Sequence, residues 1–182
     1  MKKLIIATLL TAVWAAPAFA EDYISIGGKK VTMADSKASL SKKFGKPKKE
    51  VNGDTWHQGG ATIVVAGYDQ FGLKDVSVYA EKTNHAPILM GSNGYTITLG
   101  KDSIANAVTK LQSGCFNVNI GMYGPGENAL SFYSRIGAEG EYYAVVEGSG
   151  QAETVRGLKP AKVDSLRMTY EEPIDTSDCV GQ

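Results

Sequence analysis

The chain of 182 residues has little of what builds a reactive centre. It holds two cysteines and two histidines. His57 and His85 stand at no zinc-like interval from each other or from Cys115 and Cys179, and there is no His-Glu-x-x-His string, so no metal is expected. No serine sits in a Gly-x-Ser-x-Gly elbow. The Gly-rich stretch 121–126 lacks the Lys and Ser/Thr of a phosphate loop and opens no helix, so it reads as a surface loop. An excess of positive charge is also missing: 19 basic residues balance 19 acidic ones, which removes the electrostatic footprint of a nucleic-acid binder. No long apolar run follows the first twenty residues, so no transmembrane segment is expected. Together these absences point away from an enzyme and away from any cofactor.

What is present starts with an export signal. Lys2-Lys3, an apolar run from Leu4 to Trp14 and the small-residue exit Ala18-Phe19-Ala20 make up the three parts of a secretory signal over residues 1–20. Cleavage is expected before Glu21, giving a periplasmic or secreted protein with 17 basic and 19 acidic residues. In such an oxidising compartment the even pair Cys115 and Cys179 favours a disulfide, worth about 4 kcal/mol across a loop of roughly 60 residues. The competing reading, a nucleophilic thiol, needs a histidine nearby, and both histidines lie in the other half of the chain.

The second feature is internal repetition. Ile24-Ser25-Ile26-Gly27 is echoed by Ile97-Thr98-Leu99-Gly100, and each echo leads to an Asp-Ser pair, Asp35-Ser36 and Asp102-Ser103, that opens a short amphipathic stretch. The first stretch carries Ala38, Leu40 and Phe44 and ends at Gly45-Lys46-Pro47; the second carries Ile104, Ala107, Val108 and Leu111 at helical spacing. Strands are predicted at 23–26, 54–57, 61–66 and 73–81, then at 95–99, 128–134, 141–147 and 163–171. The order strand, helix, strand, strand, strand thus recurs at a period of about 70 residues. This predicts an α+β fold of two tandem helix-on-antiparallel-sheet repeats, helices on one face and an open concave sheet on the other. Residues 21–81 form the first repeat, 82–94 a linker, and 95–182 the second repeat with its C-terminal tail. Alternation points His57, Tyr79, Tyr133, Arg135 and Arg167 toward the open face.

Thr32-Met33-Ala34-Asp35-Ser36, then Leu40, Phe44-Gly45-Lys46-Pro47 and Asp54-Thr55-Trp56-His57, resembles the pattern of the β-lactamase inhibitor protein superfamily. That pattern also marks the small lipoprotein of the outer-membrane β-barrel assembly machinery. The tandem arrangement is closer to the inhibitors. Two features depart from them: residues 21–81 contain no cysteine, and the second helix ends in Gln112-Ser113-Gly114-Cys115 without a Gly-x-Pro exit. The resemblance implies that the sheet face and hairpin loops grip a protein partner, with the 67–72 loop placed to plug a partner's pocket. Partner-binding residues are then Tyr68, Asp69 and Phe71 on that loop, with Tyr123 on the 121–126 loop and Tyr79, Tyr133 and Arg167 on the sheet.

The expected function is therefore an exported protein-binding module of inhibitor type with a partner in the cell envelope. The alternative is a non-catalytic envelope-assembly or structural scaffold. A small-ligand carrier or enzyme with a pocket between the repeats comes third, and would need two carboxylates or a Cys-His pair brought together by folding.

Overall fold

Apolar and polar residues alternate through long stretches, and strands accordingly take 50% of the residues the structure describes against 13% for helices. The computed structural model describes residues 21–92, 94–174 and 176–181; the export signal read at 1–20 lies outside them. The chain begins with β1 (Tyr23–Ile26), β2 (Lys29–Val31), α1 (Lys37–Phe44), β3 (Lys48–Glu50), β4 (Gly53–Gln58), β5 (Ala61–Tyr68) and β6 (Leu73–Ala80). It continues with β7 (Ile88–Ser92), β8 (Tyr95–Thr98), α2 (Ile104–Leu111), β9 (Gly114–Gly124), β10 (Glu127–Ile136) and β11 (Tyr142–Gly150). The last elements are α3 (Val155–Leu158), β12 (Ser165–Thr169) and β13 (Cys179–Val180).

These strands form two antiparallel sheets, a small one ordered β2-β1-β7-β8 and a large one ordered β13-β9-β10-β11-β12-β6-β5-β4-β3. One core joins them. Ile24, Ile26, Met90 and Ile97 of the small sheet and Leu40, Ile104 and Ala107 of the helices meet Trp56, Ile63, Val76, Phe132, Val146, Leu166 and Met168 of the large sheet. The small sheet and the helices therefore lie against one face of the large sheet, and alternation turns its other face to water.

The expected α+β fold of two tandem helix-on-sheet repeats with a helical face is overturned by this architecture. The helices are too small to make a layer. With eight residues each, α1 and α2 are about 12 Å long. Nine strands about 4.8 Å apart span close to 38 Å. The remaining cover is a second sheet, two strands of which, β2 and β7, occupy stretches without a strand expectation; β7 falls within residues 82–94. Pairing also runs across the halves: β1 bonds to β7, and β12 bonds to β6 with Leu166 opposite Val78 and Met168 opposite Val76. Neither sheet belongs to one half of the chain.

The helix ends follow their sequence signals. Ser36 Oγ accepts from Ser39 N–H and Ser39 Oγ accepts from Ser36 N–H, a reciprocal cap that satisfies two otherwise orphaned donors. At the other end Gly45 adopts φ +87°, and its carbonyl accepts from Trp56 Nε1 at 2.7 Å, which seats the helix exit on the large sheet. The expected disulfide joins Cys115 of β9 to Cys179 of β13, pinning the C-terminal segment to the sheet. No helix among the described residues is long and apolar enough to cross a membrane.

Candidate functional site: the outer face of the large sheet

The middle of the large sheet is the β12–β6 pair, in which Arg167 stands opposite Ser77 and Thr169 opposite Asp75. All four project to the outer face. Arg167 Nε donates to Asp75 Oδ2 at 2.6 Å, and its guanidinium also pairs with Glu171. Burial alone would lower the Arg167 pKa, but Asp75 and Glu171 hold it above its ordinary value, so the cation is permanent. This ion pair is the floor of a trough of about 470 Å³.

The trough walls come from both ends of the sheet. Asn52 of the β3–β4 turn and Met122 of β9 line the same cavity as Tyr79, Ser165 and Arg167 on the central strands. Turn and strand residues three strands away on either side can share one cavity only if the sheet curls, so the outer face is concave. Val64, Val145, Tyr79 and Tyr133 give the trough apolar and aromatic surface, and Glu147, which accepts from Ser131 Oγ at 2.6 Å, adds a carboxylate.

Three further cavities continue the trough along the same face. One of about 480 Å³ shares Tyr79 and Ser165 with it and adds Glu127 and Asp164. Another of about 370 Å³ shares Ala66 and Asp75 and adds Asp69, Lys74, Tyr170 and Glu171. A third of about 290 Å³ shares Tyr133 and reaches Tyr143, which meets Tyr133 edge to face and carries the Arg135 guanidinium 5.0 Å from its ring centre, with Glu172 and the disulfide-pinned tail beyond. Asp164 is pushed above the usual carboxylate range by burial and by the nearby Glu147, although Ser149 donates to it from both N–H and Oγ. The Tyr133 phenol is likewise raised, chiefly by burial. Counted over the trough and the two cavities beside Tyr79 and Asp75, six carboxylates face Arg167 and Lys74, so the surface is acidic.

Of the residues expected to bind a partner, Tyr79, Tyr133 and Arg167 come together in this trough. Tyr68 is elsewhere. Its ring packs on the core and its hydroxyl donates to Asp54 Oδ2 at 3.1 Å, so burial first and Asp54 second raise its pKa. Asp69 shapes the β5–β6 turn, accepting from Phe71 N–H at 2.7 Å and Gly72 N–H at 3.0 Å, and leaves Phe71 77% exposed at the tip. That turn is docked: Leu73 N–H donates to Met33 O at 2.8 Å, and a Cβ on Gly72 would meet the same carbonyl at 2.1 Å. The side chain of Tyr123 lies outside the described residues. Sequence reasoning missed Asp75, Ser77 and Glu147, which the alternation of β6 and β11 could have found, and Met122, which the surface-loop reading of 121–126 concealed.

No group of three or more metal-ligating side chains occurs among the described residues. A hydroxyl, imidazole and carboxylate do meet at Thr62, His57 and Glu81. Both neighbours contact the same ring nitrogen, Nδ1, at 3.1 and 2.6 Å, and Nε2 points to Glu50 at 4.0 Å. Thr62 and Glu81 thus share one ring nitrogen while Glu50 stays beyond hydrogen-bond distance of the other, an arrangement that ties β4 and β5 to the residue following β6.

Comparison of the chain with protein-family models, with curated proteins and with solved structures gives no match.

Proposed function

We propose that this is an exported, non-catalytic protein-binding module of inhibitor type that holds a folded partner in the concave outer face of its large sheet. The observation that carries this reading is the curl of the sheet, which brings Asn52 and Met122 from its two ends to one trough around Tyr79 and Arg167. A chain of shallow, connected cavities fits a protein surface better than an enclosed small-molecule site. Aromatic anchors beside a fixed guanidinium are the side chains that dominate protein interfaces. The acidic lining selects for a partner whose contacting loops are basic. The signal read at residues 1–20 and the resemblance to the β-lactamase inhibitor protein superfamily support the same reading, with the cell envelope as the proposed location of the partner.

The test is site-specific photo-cross-linking in cells that make the protein. A photoreactive side chain at Tyr79 is expected to yield a discrete adduct with another protein, and one at Lys42, exposed on α1 behind the sheet, is expected to yield none. Adducts of equal yield at both positions, or none at either, would overturn the proposal.

A further inference from the structure

In the small sheet β1 and β7 run antiparallel, with Ile24 opposite Met90 and Tyr23 opposite Gly91. One step further out the same register sets Asp22 opposite Ser92. Gly27 N–H donates to Pro87 O, whereas Ile88 O turns away from β1 to accept from Leu99 N–H. Wide and narrow pairs alternate from there, so Asp22 and Ser92 fall at a narrow, non-hydrogen-bonded position, where opposed Cα atoms approach to about 4.5 Å. Both side chains lie on the face of Ile24 and Met90, which meets the core.

Both are short of partners. Each residue is 5% exposed. Asp22 Oδ2 accepts from Gly137 N–H at 2.7 Å and from the Tyr142 hydroxyl at 3.1 Å, but Asp22 Oδ1 and Ser92 Oγ are buried with no hydrogen bond. No lysine, arginine or histidine among the described residues pairs with Asp22. Buried carboxylates are ordinarily paired, and a buried oxygen without a donor bears its full desolvation cost. Two such oxygens on neighbouring strands, one of them on a carboxylate, make a site for a small cationic donor. The side chains there do not make a metal centre, since no group of three or more metal-ligating side chains occurs among the described residues.

We propose that this donor is the α-ammonium group of Glu21, created when residues 1–20 are removed, and that it pairs with Asp22 Oδ1 and Ser92 Oγ. The inference rests on the cleavage read before Glu21 and not on what the concave face holds. Hydrolysis breaks the bond between the Ala20 carbonyl carbon and the Glu21 nitrogen. The oxygen of the water stays on Ala20 as part of a carboxylate and its two hydrogens go to the nitrogen, so an uncharged amide with one N–H becomes an ammonium with three. Only one peptide unit separates that ammonium from Asp22, and the freed Glu21 ψ lets it turn toward the pair. The ion pair then joins the new N-terminus, through Asp22, to Gly137 after β10 and Tyr142 at the start of β11. Processing thereby fastens β1 to the large sheet, and the unprocessed chain is the less stable form.

The test starts from protein exported by cells that make the full 182-residue chain, whose intact mass gives its N-terminus. A start at Glu21 is expected, and any other start overturns the cleavage reading and this proposal with it. The Glu21 form is then compared with a chain that keeps Phe19-Ala20 and so carries its ammonium two residues away. The longer chain is expected to melt about 5 °C lower, and Asp22→Asn to erase the difference between the two starts. Asn keeps an oxygen for Gly137 and Tyr142, so that variant retains both acceptor contacts. A second measurement does not depend on melting. With an amine-acylating ester at neutral pH, the Glu21 α-amine is expected to react about tenfold more slowly in the wild-type chain than in Asp22→Asn. Equal melting of the two wild-type chains, as a water molecule or a free cation at the site would give, overturns the pairing and leaves the cleavage reading standing. Equal acylation rates in the wild type and Asp22→Asn overturn it as well.

Discussion

Helices α1 and α2 are fixed to the small sheet by the same device but to the large sheet by different ones. In each case an Asp precedes the N-cap serine, accepts a backbone N–H from the preceding turn, and pairs with a lysine in the last helical turn. Asp35 accepts from Thr32 N–H at 3.0 Å and pairs with Lys43 at 2.6 Å; Asp102 accepts from Thr98 N–H at 2.7 Å and pairs with Lys110 at 2.8 Å. Each lysine then reaches a carbonyl on an edge strand, Lys30 O on β2 or Thr96 O on β8. One clamp thus ties helix start to helix end, complements the helix dipole, and closes a sheet edge. On the large sheet the symmetry fails. α1 sits on Trp56 through the Gly45 carbonyl, whereas α2 has no such tryptophan and its half carries the β9–β13 disulfide. The shared device serves the small sheet, where the halves meet as equals, and the differing ones serve the large sheet, where the second half has longer strands.

The largest effect that would break this comparison is expected at Trp56. It is 2% exposed, touches the core and holds the α1 exit, so Trp56→Ala is expected to cost about 3–5 kcal/mol. The counterpart change in the second half, replacing both Cys115 and Cys179 by serine, opens a loop of 64 residues and is expected to cost up to about 4 kcal/mol. Denaturant unfolding of both variants decides whether one tryptophan and one cross-link are equivalent anchors. If the cysteine pair is removed at no measurable cost, the tail is a passenger and the second half is anchored by packing alone.

The clamps themselves should respond alike. Asp35→Ala and Asp102→Ala each remove an ion pair and a backbone acceptor at a partly buried site, for about 1–3 kcal/mol apiece, with Asp35 the costlier because its side chain is 7% exposed against 14% for Asp102. Burial alone would raise both carboxyls, but Lys43 with Ser39 and Thr32, and Lys110 with Thr98, hold them below their ordinary value. A carboxyl lowered in the folded state contributes stability above its unfolded value, near 3.9, and loses it as pH falls through the lower folded one. The gap between each variant and the wild type should therefore be full at neutral pH and close in acid, as chemical denaturation at several pH values will reveal.

Much of the local structure was legible because it rests on local chemistry. The serine caps, the glycine exit and the alternation of β6 and β12 each follow from a few adjacent residues. The fold class was not, because it turns on which strands pair across the halves. Lys29–Val31 is three residues long and carries two lysines, and Ile88–Ser92 follows a proline and contains Gly91, so neither announces itself as half of a second sheet. β9 was hidden by composition: its asparagines and glycines are poor strand formers, and the alternation of Phe116, Val118 and Ile120 with Asn117 and Asn119 was the available signal. For the outer face, alternation placed Tyr79, Tyr133 and Arg167 together, but nothing local indicates that the sheet curls enough to bring Met122 over them.

The smallest expected effect sharpens the comparison by inverting its sign. Asp164 lies beside the trough, where burial and Glu147 raise its carboxyl and no lysine answers them, in contrast to Asp35 and Asp102 on the opposite side of the sheet. A carboxyl raised in the folded state binds its proton more tightly there, so its contribution is most favourable in acid and declines as pH rises through the folded value. Asp164→Asn keeps an oxygen for Ser149 and removes the charge, and is expected to stabilise the protein at neutral pH by up to about 1 kcal/mol, a gain that vanishes in acid. A loss at neutral pH instead would mean that the two Ser149 hydrogen bonds depend on the ionised form and outweigh the strain of burying it. In that case the acidic face is built from carboxylates as firmly supported as those of the clamps, and its charge is held without cost to the fold.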